Sequence, residues 1–452
     1  MKLVLLATPQ HRTQPALFPI ACFLAAFLAA TFAGLHAAEA QAQPAQGTNE
    51  LSIQWVVLEV LSNNPSLKAA RANWEALKSR IPQARAWEDP RLGVDVERSG
   101  TTRFATFTDA EWMVGQEVPV SGKNRWRGRA AAAEAEAAQA DLHRRELELL
   151  ARARGAYYRL ANAHLQLEFN RTNEALLHRY VDASRLKYES GARSQADVFM
   201  AQAEAARILE ARRDIERRLI EEQSLLNVLM NRSPQAPLGR PPEVAMRHFD
   251  FPLERLQAMA LEHRPEIVSA RKKIEAAKAR RTLAKRAWIP DPELRVEARQ
   301  FNGAGGGIQE YDTGVFLSVP WINRGKYKAA IAEAEKMQET GERQLEALQA
   351  ETLGMVRTQI EKAEVSHHHY TLFHDRLLPL ARQAVQASEI AYTNDRGTLL
   401  ELISAQRVAR DTESALQDHR ADYLSAIADL EAMVGEPISS SQNPESRPRK
   451  EP

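Results

Sequence analysis

GQEVPVSGKNRWRGRAAAAEAEAAQADL, running from Gly115 to Leu142, changes its backbone period within a few residues. Into it, Trp112, Val114 and Val118 alternate with Glu111, Gly115 and Glu117, the period of two that a strand requires. Pro119 closes that run, because proline has no N–H to give a ladder. Gly122 follows, and then Ala, Glu, Arg and Gln dominate, with no proline until Pro234. The stretch predicts a strand that turns at Pro119 and Gly122 directly into a very long helix.

The transition is written twice. LSVPWINRGKYKAAIAEAE, Leu317 to Glu335, repeats it with Pro320 and Gly325 in the corresponding places. Asn64-Pro65 returns as Arg264-Pro265, Ala86-Trp87 as Ala287-Trp288, and Tyr188 with Ala201-Gln202 as Tyr392 with Ala405-Gln406. An offset of roughly two hundred residues is too long for a solenoid repeat, so each copy must be an architectural half. The first is expected over 51–238, with strands at 92–98 and 111–119 and a helical hairpin at 122–233. The second is expected over 252–437, with strands at 293–300 and 313–320 and a hairpin at 325–434.

Within each hairpin the apolar residues recur at intervals of three, four and seven, as in Leu142, Leu149, Ala153, Ala156, Leu160 and Ala163. That spacing is a narrow seam of coiled-coil type. The first hairpin turns near Gly191, with Ser194 as N-cap of the returning helix, and the second turns through Asn394 to Thr398. Each ascending arm is about 67 residues, hence about 100 Å, and each returning arm is about 39. A helix of about 22 residues, begun by Pro65 or Pro265, precedes each strand pair. Pro379 is expected to kink the second ascending arm.

The strand pairs carry apolar residues on one face and charge on the other. Leu92, Val94 and Val96 alternate with Gly93, Asp95 and Glu97, and Leu294 and Val296 alternate with Glu293, Arg295 and Glu297. This fits strands with lipid outside and water inside, and alternation alone fits a half-buried soluble sheet equally. Four strands cannot close a barrel, so a membrane barrel would need further copies, and three copies supply twelve strands. Beyond residue 40 no apolar run is long enough for a membrane helix, so any span must be made by strands.

The N-terminus reads as an export signal over 1–40: Lys2 and Arg12, an apolar stretch Phe18 to Leu35, then small residues around Ala38 to Ala42. A retained anchor helix is the alternative. Cys22 lies inside the apolar stretch and is the only cysteine, so the processed chain would have neither disulfide nor thiolate chemistry. Sixty basic against 59 acidic residues leave a formal net charge of +1, which gives no field for nucleic acid. The tail 438–452 is polar and proline-rich and is expected to be disordered.

Together these features resemble the TolC-like outer-membrane efflux proteins, over nearly the whole chain after the signal. The most specific pieces are the two Val-Pro transitions and the tip signature Tyr188-x-x-Gly191-x-x-Ser194-x-x-Asp197-Val198. The resemblance implies a mainly α fold with β: a homotrimer whose 12-stranded outer-membrane β-barrel stands on an α-helical tunnel in the periplasm. It implies an equatorial band and periplasmic tips that close an aperture. It also implies a periplasmic adaptor protein and an inner-membrane pump, often of resistance-nodulation-division type, as partners. Within the family the chain is most similar to the CzcC-like heavy-metal branch. The tips would then dock the adaptor through Gly191, Ser194 and Asp197 in the first and Asp395, Gly397, Thr398 and Glu401 in the second. In the second tip Asp395 holds the place of Gly191 and Gly397 comes two residues later, which predicts a shifted turn.

Other readings of these residues are simpler. Asp197 and Glu401 sit where carboxylates offset a helix dipole. His367-His368-His369 point about 100° apart on a helix, so they cannot share one ion. Asp95, Glu97, Glu111 and Glu117, with Arg295 and Arg299, would keep a lumen wet. No nucleophile–base pair, phosphate loop, metal cluster or cofactor motif stands out, so no enzyme is expected. The leading expectation is a passive outer-membrane exit duct for metal cations. A drug or small-molecule channel of the same family, and a periplasmic coiled-coil scaffold, are the alternatives.

Overall fold

The computed structural model describes residues 50–97, 109–246, 249, 252–301 and 307–438. The expected signal, the two strand-connecting loop segments 98–108 and 302–306, and the tail from 439 lie outside the described residues.

Both halves run through the same elements. The first has α1 (Ile53–Asn63), α2 (Pro65–Arg85), β1 (Arg91–Glu97), β2 (Asp109–Glu117), α3 (Lys123–Glu189) and α4 (Gln195–Leu229). The second has α5 (Leu253–His263), α6 (Pro265–Arg286), β3 (Pro292–Phe301), β4 (Glu310–Leu317), α7 (Arg324–Leu372), α8 (Leu378–Thr393) and α9 (Leu399–Val434). The sequence reading missed α1 and α5. Each is 11 residues and abuts the proline helix behind it, so no loop composition separates the two.

Asn64 shows why the break occurs there. Its Oδ1 accepts from Ser66 N at 2.9 Å and Leu67 N at 3.3 Å, capping α2, while Pro65 occupies the first turn. Its amide also donates to Leu229 O at 2.9 Å, tying this break to the end of α4. In the second half Arg264 stands in this place and donates to Thr352 Oγ1 at 2.8 Å instead.

Around these breaks lie two of the cores. Val56, Val60 and Leu67 pack with Tyr157, Leu160, Leu226 and Met230 in the first, and Leu256 and Ala260 pack with Val356, Tyr423 and Leu430 in the second. Ile438 is 2% exposed in the second core, so the chain stays packed one residue into the segment expected to be disordered. A third core, with Leu177, Tyr180, Ile208, Tyr392 and Leu402, joins the two hairpins near their tips.

The long helix α3 has 67 residues, about 100 Å at 1.5 Å per residue. Its early turns are buried almost all round, through Ala131, Ala133, Ala135, Ala137 and Ala138. Alanine is required there because α3 packs against α2 on one side and α6 on the other. The corresponding arm of the second half is not continuous. A π-helical turn, Phe373–Leu377, separates α7 from α8, and Pro379 falls in the first turn of α8. The interruption precedes the proline, because the missing N–H frees a carbonyl one turn earlier.

The strands form one antiparallel sheet in the order β1-β2-β3-β4. Val94 faces Trp112, Val114 faces Val296, and Leu294 faces Val315 across neighbouring strands, so the apolar residues share one face. Leu92 is 80% exposed and Val315 64%. The polar face pairs Glu111 with Arg299, Nη2 to Oε2 at 2.9 Å. The edge strands β1 and β4 each pair on one side only, with β2 and β3, and their outer edges have no strand partner among the described residues. Among those residues no helix is long and apolar enough to cross a membrane.

Candidate functional site: the hairpin tips and the strand-to-helix junction

The first tip closes α3 with Gly191 at φ +72°. Gly191 N donates to Tyr188 O at 2.9 Å, and Ala192 N and Arg193 N both donate to Lys187 O, at 2.9 and 3.1 Å. Ser194 caps α4, its Oγ accepting from Ala196 N at 3.0 Å. Asp197 lies in the first turn of α4.

The second tip corrects the expected shift. Asp395 adopts φ +59°, the left-handed conformation of Gly191. Its N donates to Tyr392 O at 3.3 Å, and Arg396 N and Gly397 N donate to Ala391 O at 2.9 and 3.0 Å, the same bonds position for position. The turn is therefore unshifted. Aspartate enters the left-handed region more readily than most side chains. Gly397 takes the place of Arg193 and is buried against Ala391 and Tyr392, where a Cβ would lie 2.9 Å from Ala391 Cβ. Thr398 and Glu401 form a reciprocal capping box, Glu401 N to Thr398 Oγ1 at 3.2 Å and Thr398 N to Glu401 Oε2 at 2.8 Å. The backbone bond from Thr398 holds the Glu401 carboxyl below its ordinary value.

The two tips are clasped together. Lys187 Nζ donates to Tyr392 O at 2.8 Å and to Asp395 Oδ1 at 2.6 Å, and sits 4.6 Å from the Tyr392 ring centre. Arg193 Nη2 donates to Gly397 O at 2.7 Å. The Lys187 hydrogen bond lowers the Asp395 pKa. Asp395 is thus paired within its own chain.

Just behind the tips is a group the sequence reading overlooked. Glu204 on α4 is 2% exposed, and its carboxylate takes Arg407 Nε at 2.9 Å and Arg410 Nη1 at 3.1 Å from α9. Burial pushes its pKa up, but the two arginines outweigh that and hold it low. One signal was available: the matching position of the second half is the apolar Val408, 58% exposed. The consecutive histidines part company, His369 facing His419 with ring centres 4.8 Å apart and His367 beside Tyr423.

At the other end, Pro119 and Gly122 do make the first strand-to-helix turn. Gly122 is the α3 N-cap at φ +68°. The turn is held by the second half. Asp291 Oδ1 accepts from Ser121 N at 2.7 Å, and Oδ2 accepts from Ser121 Oγ at 2.8 Å and Lys123 Nζ at 3.0 Å. Arg286 Nη1 donates to Ser121 O at 2.7 Å. Burial raises the Asp291 pKa, yet these donors bring it below its ordinary value. Pro320 opens a 3₁₀ turn, Pro320–Asn323, and Gly325 lies inside α7 with open space around it. Counting from the prolines, Asn323 rather than Gly325 matches Gly122.

The model of the family described as "Outer membrane efflux protein" matches residues 56–230 and 256–436, one match per half. TolC of Vibrio cholerae is 23% identical over 297 residues, 64% of this chain and 67% of its own. The solvent efflux pump outer membrane protein SrpC of Pseudomonas putida is 24% identical over 305 residues, 62% of this chain and 63% of its own. The crystal structure of VceC from Vibrio cholerae superposes with a TM-score of 0.72 at 19% identity, covering 85% of this chain and 96% of that one. The duplicated strand pairs and hairpins have their counterpart in that fold, and the chain belongs to the outer membrane efflux protein family, as an efflux channel of the outer membrane with its helices in the periplasm rather than an enzyme.

Proposed function

We propose that the chain is the passive exit duct of a tripartite efflux system, acting as a homotrimer. The observation that carries this is the open four-stranded sheet, apolar and exposed on one face, charged on the other, with both edges unpaired among the described residues. Unpaired edges and a bare apolar face are both costly in water. Three sheets joined edge to edge give twelve strands, remove every edge and turn the apolar face to outer-membrane lipid. The helical hairpins then continue as a tunnel into the periplasm. A periplasmic adaptor docks at the tips, around Gly191, Ser194 and Asp197 and around Asp395, Gly397, Thr398 and Glu401. An inner-membrane pump of resistance-nodulation-division type supplies the energy. The Lys187–Asp395 and Arg193–Gly397 contacts hold the tips in the closed arrangement that docking must release.

For cargo, we propose metal cations, the heavy-metal branch of the family. Carboxylates outnumber arginines on the polar face of the sheet, where Asp95, Glu97, Glu111, Glu117 and Glu297 lie with Arg295 and Arg299, and such a lining favours cation passage. The second reading is small organic molecules, favoured by the similarity to SrpC, the outer membrane protein of a solvent efflux pump. Gene deletion separates the two. Selective sensitivity to zinc, cobalt, nickel, cadmium or copper supports the first, and unchanged metal tolerance with drug or solvent sensitivity supports the second. Recovery of the protein from the soluble periplasm without detergent, and no conductance in planar bilayers, would overturn the duct itself.

A further inference from the structure

The internal duplication makes the junction between the two halves of one chain a template for the junction between two chains. Inside the chain, the edge of the first half meets the start of the second. There β2 pairs with β3, Val118 N donates to Pro292 O at 2.8 Å, and Asp291 clasps the turn Ser121–Lys123. The second half presents the same edge, β4 followed by the turn at Pro320, with nothing covering it among the described residues. The first half presents the same start, Asp89-Pro90 followed by β1, also uncovered among the described residues. Matched through the repeat, Asp89 corresponds to Asp291, Ile322 to Ser121 and Arg324 to Lys123. Asp89 and Arg324 are exposed, and neither has a hydrogen-bond or ion-pair partner among the described residues. Ile322 is 76% exposed and Trp321 49%.

We propose that Asp89 of one copy clasps the Pro320–Arg324 turn of the next, accepting from the Ile322 N–H and the Arg324 guanidinium, and that this clasp sets the register of β4 on the neighbouring β1. The proposal rests on the trimeric reading above. Ile322 has no hydroxyl, so this seam keeps two of the three donors that Asp291 enjoys and replaces the third with apolar contact. Transferring the β2–β3 register places Leu317 opposite Leu92 and Val315 opposite Val94 of the neighbour. Both pairs fall on the apolar face, as they must if that face meets lipid. A slip of one residue would put Phe316, from the charged face, opposite Leu92.

Arg85 adds a second correspondence. It matches Arg286, which holds the Ser121 carbonyl, and within its own chain it lies over Gly128. The neighbour's Ile322 carbonyl is the matching acceptor.

Cysteine cross-linking tests the register, because a Cys22→Ser background leaves no native thiol. The full chain carrying Leu92→Cys and Leu317→Cys, oxidised in membranes, is expected to run on denaturing gels as reducible species of two and three copies. Gln116→Cys with Leu294→Cys is the intrachain reference and should stay at one copy. Leu92→Cys with Val315→Cys, one strand period out of register, should link several-fold less. For the clasp, Asp89→Arg and Arg324→Asp should each lower the temperature at which the trimer dissociates in detergent, and the double exchange should restore it. A trimer by native mass spectrometry that fails to link in register, or links equally out of register, overturns the register. Unchanged dissociation in both single variants overturns the clasp. A protein that stays monomeric in lipid overturns the trimeric reading, and this proposal falls with it.

Discussion

Removing the Glu204 carboxylate should loosen the two hairpins from each other near the tips, without disturbing the sheet. Charge-assisted hydrogen bonds contribute about 1.5–3 kcal/mol each when desolvated. Glu204 makes such bonds to both Arg407 and Arg410, but those side chains are 40% and 25% exposed and can recover water once the carboxylate is gone. That recovery discounts the total towards the exposed-pair range, leaving about 2 kcal/mol for Glu204→Ala. Glu204→Gln keeps the shape and one acceptor oxygen and should cost about half of that. Opening of the tip region in preference to the whole chain is read by hydrogen exchange. A loss of about 2 kcal/mol makes amide exchange roughly 30-fold faster. That acceleration is expected in peptides around Ala205 and Arg407, and not around Tyr157. The dependence on pH has a definite sign. The folded pKa of Glu204 is lowered, so its contribution is complete above the ordinary value of 4.5 and is lost as pH falls through the lower folded value. The variants should therefore converge with the native chain in acid. Exchange changed less than about threefold in Glu204→Ala would refute the reasoning, as would an effect that persists unchanged below the folded pKa. So would an additive further loss from Arg407→Ala, because the two share one interaction.

Lys187→Ala and Asp395→Asn should each raise conductance in planar bilayers by loosening the tip clasp, with the double variant no more open than the singles; closed, native-like traces from both singles would count against the clasp. Acidification should open the native chain in the same direction, since the Asp395 pKa is lowered by Lys187 and protonation removes that bond only below its ordinary carboxylate range. Gly122→Ala should destabilise by about 1 kcal/mol or more, because φ is +68° and the new Cβ lies 3.1 Å from Arg286 Nη1. Gly325→Ala, in open helical space, should be neutral or stabilising by up to about 1 kcal/mol, and thermal melts of the pair would show the contrast. Tyr157→Phe should cost about 1–2 kcal/mol by leaving Leu51 O without its 2.8 Å donor in a buried site. Burial pushes the Tyr157 pKa up to about 12, so that loss should be independent of pH through the neutral range.

The sequence by itself determined the duplication, the strand-to-helix transitions and the two hairpins, because each is a matter of local period. Alternation at Trp112 and Val114, proline-free alanine-rich runs, and Pro65 or Pro265 at a helix start act within a few residues of themselves. It also placed Gly191 and Ser194 at a tip, since a left-handed residue and an N-cap are local demands. Tertiary structure decided what neighbours alone could settle. Asp395 keeps the left-handed turn of Gly191 because Lys187, from the other hairpin, is there to meet its carboxylate. Glu204 is a clasp and not a surface charge because Arg407 and Arg410 arrive from more than two hundred residues away. The transition glycine is Gly122 in one half, while Gly325 is ordinary helix in the other, because a 3₁₀ turn lies ahead of α7. Alternation in period two names the faces of a strand, but it does not name the strand across from it. Register comes from pairing across the chain, and here the pairing of β2 with β3 supplies the register carried over to the proposed seam between copies.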